Sequence, residues 1–225
     1  MKKLLMFGLV LALVLPVMAM AEDRLPSKDA FHLDGRIFGL GYMFGTWRSA
    51  DDSKATYDWA NLGFDLGKGA EVKLGYLIAR HHDVGVKMGL GVTSYFVTNK
   101  FDGKKVGDTH TSASTDFRLA AYYNYNFTIK GWLMPYVGPY MGLDYASTGF
   151  KQGKSKNDSS TASLLFGGEG GIKIFPIKNA FIDLGMDMEG RASSNVSKQD
   201  SFKSVRYSGV DLGLGMFAGM GIFFQ

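Results

Sequence analysis

Residues 210–225 read VDLGLGMFAGMGIFFQ, and their alternation decides the fold. The even positions Val210, Leu212, Leu214, Met216, Ala218, Met220, Ile222 and Phe224 are all apolar, while the odd positions from Gly209 to Phe223 are Gly, Asp or Phe. A period of two with one continuous apolar face and one small or polar face is how a strand sits between lipid and a lumen.

Seven earlier stretches repeat the pattern: Asp34 to Trp47, Ala70 to Arg80, Val84 to Val97, His110 to Phe127, Gly131 to Ser147, Thr161 to Phe175 and Ala180 to Arg191. The second keeps its parity back through Leu62, Phe64 and Leu66, which lets it project beyond a membrane. Short turns at His81-His82-Asp83, Thr128 to Lys130 and Pro176 to Asn179 alternate with longer polar segments such as Thr98–Thr109, Thr148–Ser160 and Ala192–Ser204. Both chain ends fall on the short-turn side. The fold class expected is all-β, an eight-stranded antiparallel up-and-down transmembrane β-barrel, because lipid tolerates no open sheet edge. A soluble barrel would put its apolar face inside; here the charges share a face with glycine. Pro135 and Pro139 have lipid-side parity and cannot donate to a ladder, so a bulge or weak pairing is expected there.

The N-terminus reads as a cleavable signal peptide over residues 1–21. Lys2 and Lys3 precede the apolar run Leu4 to Val17, and Ala19-Met20-Ala21 is an A-x-A cleavage box. The barrel domain is then 22–225. Losing Lys2 and Lys3 takes the bases from 25 to 23 against 21 acids, a nearly balanced chain with no nucleic-acid partner implied. There is no cysteine, hence no disulfide framework or thiolate metal site. The mean hydropathy of −0.02 is what alternating strands give, since averaging hides their lipid face.

Thirteen charges fall on the inner parity: Glu71, Lys73, Lys87, Asp116, Arg118, Asp144, Glu169, Lys173, Asp183, Asp187, Glu189, Arg191 and Asp211. Eight strands leave a bore that side chains just fill. These charges therefore read as a salt-bridged structural plug. A narrow pore or proton path is the alternative, with cations favoured by the excess of acids. Inner glycines give a small bore room to close, and the GxG triplets at Gly39, Gly89 and Gly213 lie mid-strand, where no phosphate cradle forms. No cofactor and no metal site is expected; His81-His82-Asp83 reads as a solvated turn, and His32 as preceding the first strand.

Pro135-Tyr136-Val137-Gly138-Pro139-Tyr140-Met141-Gly142 resembles a glycine-aromatic strand of the small eight-stranded outer-membrane proteins, the OmpA-like transmembrane domain and OmpX-type family. Phe175 to Gly185 resembles that family's short turn and following strand. The resemblance implies a bacterial outer-membrane location with both termini periplasmic, contact with outer-membrane lipid and lipopolysaccharide, and insertion by the barrel-assembly machinery. Gly219, Ile222 and Phe224 keep the spacing of the assembly signal, although Gln225 follows where an aromatic usually ends the chain. No peptidoglycan-binding domain is expected after strand eight.

The function expected is non-enzymatic: a structural or surface-interaction, adhesion-type role through extracellular loops that meet an external ligand. Trp47, Tyr57 and Trp59 read as an interface belt rather than as contact residues. A narrow cation-preferring pore or small-molecule conduit is the alternative. A lipid A-modifying enzyme is more remote, resting on the His110-Thr111-Ser112 triplet in a Thr/Ser-rich stretch.

Overall fold

The computed structural model describes residues 24–26, 29–49, 56–64, 70–97, 100–101, 104–105, 110–129, 131–152, 155–199 and 205–224. The signal-peptide reading and Gln225 lie outside them, as do the side chains of Trp47, Tyr57, Trp59, His110 and Ser112. The strands are β1 (Ala30–Ser49), β2 (Thr56–Phe64), β3 (Ala70–Ile78), β4 (His82–Val97), β5 (Lys100–Phe101), β6 (Lys104–Lys105), β7 (His110–Asn126), β8 (Leu133–Gln152), β9 (Ser155–Ile177), β10 (Ala180–Gln199) and β11 (Val205–Phe224).

Eight of them form a closed antiparallel ring in the order β1-β3-β4-β7-β8-β9-β10-β11, and β11 pairs back onto β1 from Phe31↔Phe224 to Ser49↔Tyr207. The second strand of the sequence pattern is β2 and β3 together. β3 pairs with the start of β1 and β2 with its far half, Leu40↔Phe64 to Arg48↔Thr56, so the projecting segment is itself a paired barrel strand. β5 and β6 form a separate two-residue ladder in the loop beyond β4.

The outward face is the apolar one. Tyr42, Leu90, Phe117, Leu143, Phe166, Met186 and Met216 are all exposed. No helix among the described residues is long and apolar enough to cross a membrane, and the crossing elements here are strands. The strands outrun the apolar band: outward positions of β9 are apolar from Ile174 to Leu164, then Ala162, Ser160 and Asp158 continue the ladder. A 23-residue strand is about 75 Å long and, tilted, rises about 50–60 Å, roughly twice the ~25 Å band. The sheet therefore stands well above the lipid face on the loop side.

Strand tilt shows in the register. A row of paired residues started at Leu33 runs Leu74, Val86, Ala121, Met141, Phe166, Gly190 and Leu212, and returns to β1 at Phe44. One circuit thus climbs from position 33 to position 44 of the same strand, the stagger a closed barrel requires.

Two local features differ from the sequence reading. β1 begins at Ala30 rather than Asp34, and it carries a register shift between Arg36 and Phe38. The extra residue inverts the alternation, so Phe31 and Leu33 point outward below the bulge while His32, Asp34 and Arg36 point in. Second, the turn after β3 is Ala79-Arg80-His81, with φ of 51° at Ala79 and 66° at Arg80, the left-handed pair of a tight hairpin. His82 and Asp83 consequently belong to β4 rather than to the turn. At the prolines the expectation of a bulge or weak pairing is met by the second: there is no register shift, but the β7–β8 ladder stops at Tyr122↔Tyr140 and resumes at Tyr125↔Val137, leaving Pro139 and Gly138 unpaired on that side.

Candidate functional site: the charged lumen

Alternation aims every second side chain into a bore that water barely enters, so each charge there needs a partner. Glu169, on β9, is the centre. Its carboxylate accepts hydrogen bonds from Lys73 Nζ at 2.6 Å, Lys87 Nζ at 2.5 Å, Asn124 Nδ2 at 2.8 Å and the Arg36 guanidinium. Lys73, Lys87 and Glu169 are almost completely buried. Three cations about one anion would repel, and Glu71 relieves this by pairing Arg36 at 3.0 Å. The Arg36 guanidinium also lies 3.5 Å over the Phe217 ring, and Lys87 Nζ 3.7 Å over that of Tyr140.

Nearer the short turns, Asp83 accepts from Lys173 Nζ at 2.8 Å and from the Tyr122 hydroxyl at 3.1 Å, and lies 2.8 Å from His32 Nε2. Tyr136 donates to both oxygens of Asp183, at 2.8 and 2.9 Å. Toward the loops, Glu189 holds Arg191 Nε at 2.6 Å, Arg118 at 3.1 Å and the Tyr140 hydroxyl at 3.1 Å, and Arg191 reaches Asp144 at 3.4 Å. Above these lie hydroxyls and an amide: Ser163 on Ser193 at 2.9 Å, and Asn195 on Ser159 and Thr161, both at 2.7 Å.

The short-turn end is apolar. Phe175, Phe181 and Phe223 pack with ring centroids 5.3–6.0 Å apart and are buried with Leu25, Ala30, Leu77 and Met134. Leu25 comes from a strap across the opening. The Arg24 backbone donates to Gly131 O at 2.6 Å and accepts from Asn179 N at 3.3 Å, while its guanidinium reaches the Phe175 and Pro176 carbonyls.

Each of the thirteen charges named from the sequence is buried or half-buried on the inner face, Asp116, Asp187 and Asp211 included. The sequence reading missed His32, Asp34, Arg36 and Asp83. The first three sit below the β1 bulge, where the upper parity assigns them to lipid. The signal was present: Phe31 and Leu33 are odd, whereas Phe38, Leu40, Tyr42 and Phe44 are even. His32, far from preceding the barrel, is buried in β1. Gly219, Ile222 and Phe224 lie in β11, Gly219 inward and the other two exposed. Among the described residues no group of His, Cys, Asp or Glu is arranged to hold a metal.

Asp34 is fully buried, and neither carboxylate oxygen has a hydrogen-bond partner. Asp34→Asn is therefore expected to change unfolding free energy by less than about 1 kcal/mol. Asp83→Asn should lose about 3 kcal/mol or more, since it leaves Lys173 without its anion. Heat-unfolding midpoints of the two variants in one detergent give the contrast; equal losses would contradict it.

No family model and no curated protein matches the chain. Solved structures do. The outer-membrane protein OprG from Pseudomonas aeruginosa aligns at TM-score 0.51 and 12% identity, over 91% of this chain and 100% of that one. Ail, the attachment invasion locus protein of Yersinia pestis, aligns at 0.40 and 15%, over 88% and 100%. The outer-membrane protease OmpT from Escherichia coli aligns at 0.47 and 8%, over 88% and 97%. The chain has the fold of the small bacterial outer-membrane β-barrels. At these identities the likeness is one of fold, and the named proteins' differing roles leave activity to the site itself.

Proposed function

We propose that this is a non-enzymatic outer-membrane barrel with a closed lumen, whose role is structural or is exercised by the loop end at the cell surface. The short turns and both strand termini then face the periplasm, and β11 with Gly219, Ile222 and Phe224 presents the assembly signal. The observation that carries the reading is the filling of the bore: the Glu169 cluster at mid-height and the Phe175–Phe181–Phe223 plug with Leu25 below it. An ion passing through would have to part paired charges and then cross an apolar layer, each step unfavourable. The height of sheet above the apolar band holds the loops clear of the lipid, where they can meet an external ligand.

Refolded barrel in a planar bilayer is expected to give no discrete openings at any salt concentration. Cation-selective openings would overturn the closed-lumen reading and favour the pore. Incubation with lipid A is expected to leave all acyl chains in place; a lost chain that His110→Ala restores would make the protein an enzyme.

A further inference from the structure

The ladder between β1 and β11 lacks a tether that every other ladder of the ring has. Each of the seven others joins strands that a turn or loop connects at one end, so a frayed pair stays close and re-forms. β1 and β11 share no connection at either end. At the loop end β1 continues into β2, and β11 is entered from β10. At the short-turn end β1 is entered from residues 24–29, and β11 runs to Phe224. Strand ends with few covalent or packing restraints are where a fold opens at least cost.

The segment before β1 crosses that end of the barrel. Its anchors lie on the far side, at β8 and β9, and β8 is four strands from β1 in either direction around the ring. The Arg24 N–H donates to Gly131 O in the turn before β8, and its guanidinium donates to the Phe175 and Pro176 carbonyls at the end of β9. The Arg24 carbonyl accepts from Asn179 N at 3.3 Å, and Asn179 O accepts from Phe223 N at 2.7 Å. Asn179 holds a φ of 65°, a left-handed conformation that asparagine adopts at less cost than most side chains. Through this one residue, two hydrogen bonds join the chain just before β1 to the end of β11. Leu25 adds packing to the same bridge, being buried in one cluster with Ala30 of β1 and Phe223 of β11. Asp29 extends it to the remaining short turn, where its Oδ1 accepts from Ala79 N at 3.1 Å.

We infer that the segment carrying Arg24, Leu25 and Asp29 is a latch for the β1–β11 seam, a non-covalent substitute for the hairpin turn that these two strands lack. Docked, it ties the three short turns and the end of β11 to the start of β1. The seam then cannot unzip upward from Phe31↔Phe224 without first breaking the Arg24 bonds and exposing Leu25. The latch acts on one ladder because the other seven keep their covalent connections when it is undocked. The inference rests on the fold alone and holds whether or not the lumen conducts.

The test is hydrogen–deuterium exchange of the refolded full barrel in detergent, read by mass spectrometry on peptides from each ladder. Arg24→Ser/Leu25→Ser removes the guanidinium anchors and the buried leucine. Exchange at residues 30–35 and 219–224 is expected to quicken roughly tenfold or more, while the β7–β8 ladder around Leu119↔Leu143 changes less than about twofold. Asn179→Val opposes the left-handed turn and should open the seam in the same way. Asn179→Gly accepts that conformation, keeps both backbone bonds and should exchange within about twofold of wild type. Met134→Ala separates the latch from general packing, because it thins the same buried cluster from β8 and leaves every bond of the segment in place. Its exchange should not rise selectively at the seam. Unchanged exchange in Arg24→Ser/Leu25→Ser, or a rise spread evenly over all ladders, would overturn the inference. So would a seam-selective rise in Met134→Ala, which would make the segment packing and nothing more. Should the double variant not fold, the contrast between Asn179→Val and Asn179→Gly decides the matter: equal seam exchange in the two sinks the latch.

Discussion

Glu169→Gln should cost the barrel about 3–5 kcal/mol, the range for removing one partner of a buried ion cluster. The amide keeps the size of the carboxylate and can still accept from Asn124, so the loss reports charge and not volume. Lys73, Lys87 and Arg36 then face one another, with Glu71 beside Arg36 as the remaining anion at hand. Denaturant unfolding in detergent micelles, followed by tryptophan fluorescence, measures it. Replacing Lys73 with Met in the Glu169→Gln background should recover part of the loss, since the double variant buries one cation fewer. If Glu169→Gln unfolds like wild type, the ion cluster is not what holds the middle of the barrel.

Gly75→Val is expected to be as damaging for a different reason. Gly75 faces Gly85 across β3 and β4. A Cβ at Gly75 would run into the Tyr122 hydroxyl, His32 Nε2 and Asp83 Oδ1 together. Asp83 is the anion that holds Lys173, so the intrusion adds overpacking to the disturbance of a buried cation's partner, several kcal/mol in total. Gly41→Ala is the comparison. A Cβ there would meet Leu214 O at 3.5 Å, ordinary contact, and little change is expected. Yields of the heat-shifted, folded form on refolding separate the two; equal yields would show that the Asp83 cluster tolerates displacement.

The contrast between those glycines also shows what the sequence could and could not convey. Alternation over residues 210–224 is carried by side-chain character alone, so the strands, their outward faces and the positions of residues such as Lys87 and Asp183 were legible. The partners were not, because pairing depends on register between strands. Nothing local to Glu169 names Lys73, Lys87 or Arg36. The bulge at Ile37 was legible in principle, as a parity break between Leu33 and Phe38, yet one continuous reading of β1 hides it and sends Asp34 and Arg36 to the wrong side. The turn after β3 misled for another reason. His81-His82-Asp83 has turn-forming composition, but the left-handed conformations fall on Ala79 and Arg80, residue types with no marked preference for them. The strap at Arg24 and Leu25 gave no periodic signal, being too short to have one.

The ring also has a consequence for the order of assembly. With β2 and β3 taken as one strand, seven of its ladders join strands that follow one another around the barrel and in the chain, and each can form as a local hairpin. The ladder of β1 with β11 joins strands that are neighbours in the barrel but lie far apart in the chain, from Phe31↔Phe224 upward. All the long-range chain entropy of closure is concentrated there, and the cost of closing grows only slowly with the length enclosed. Until that seam zips, β1 and β11 are both open edges whose backbone groups can pair with a second molecule. The unfinished barrel is therefore vulnerable to self-association along one line, and a catalyst of its insertion has one pair of edges to guard.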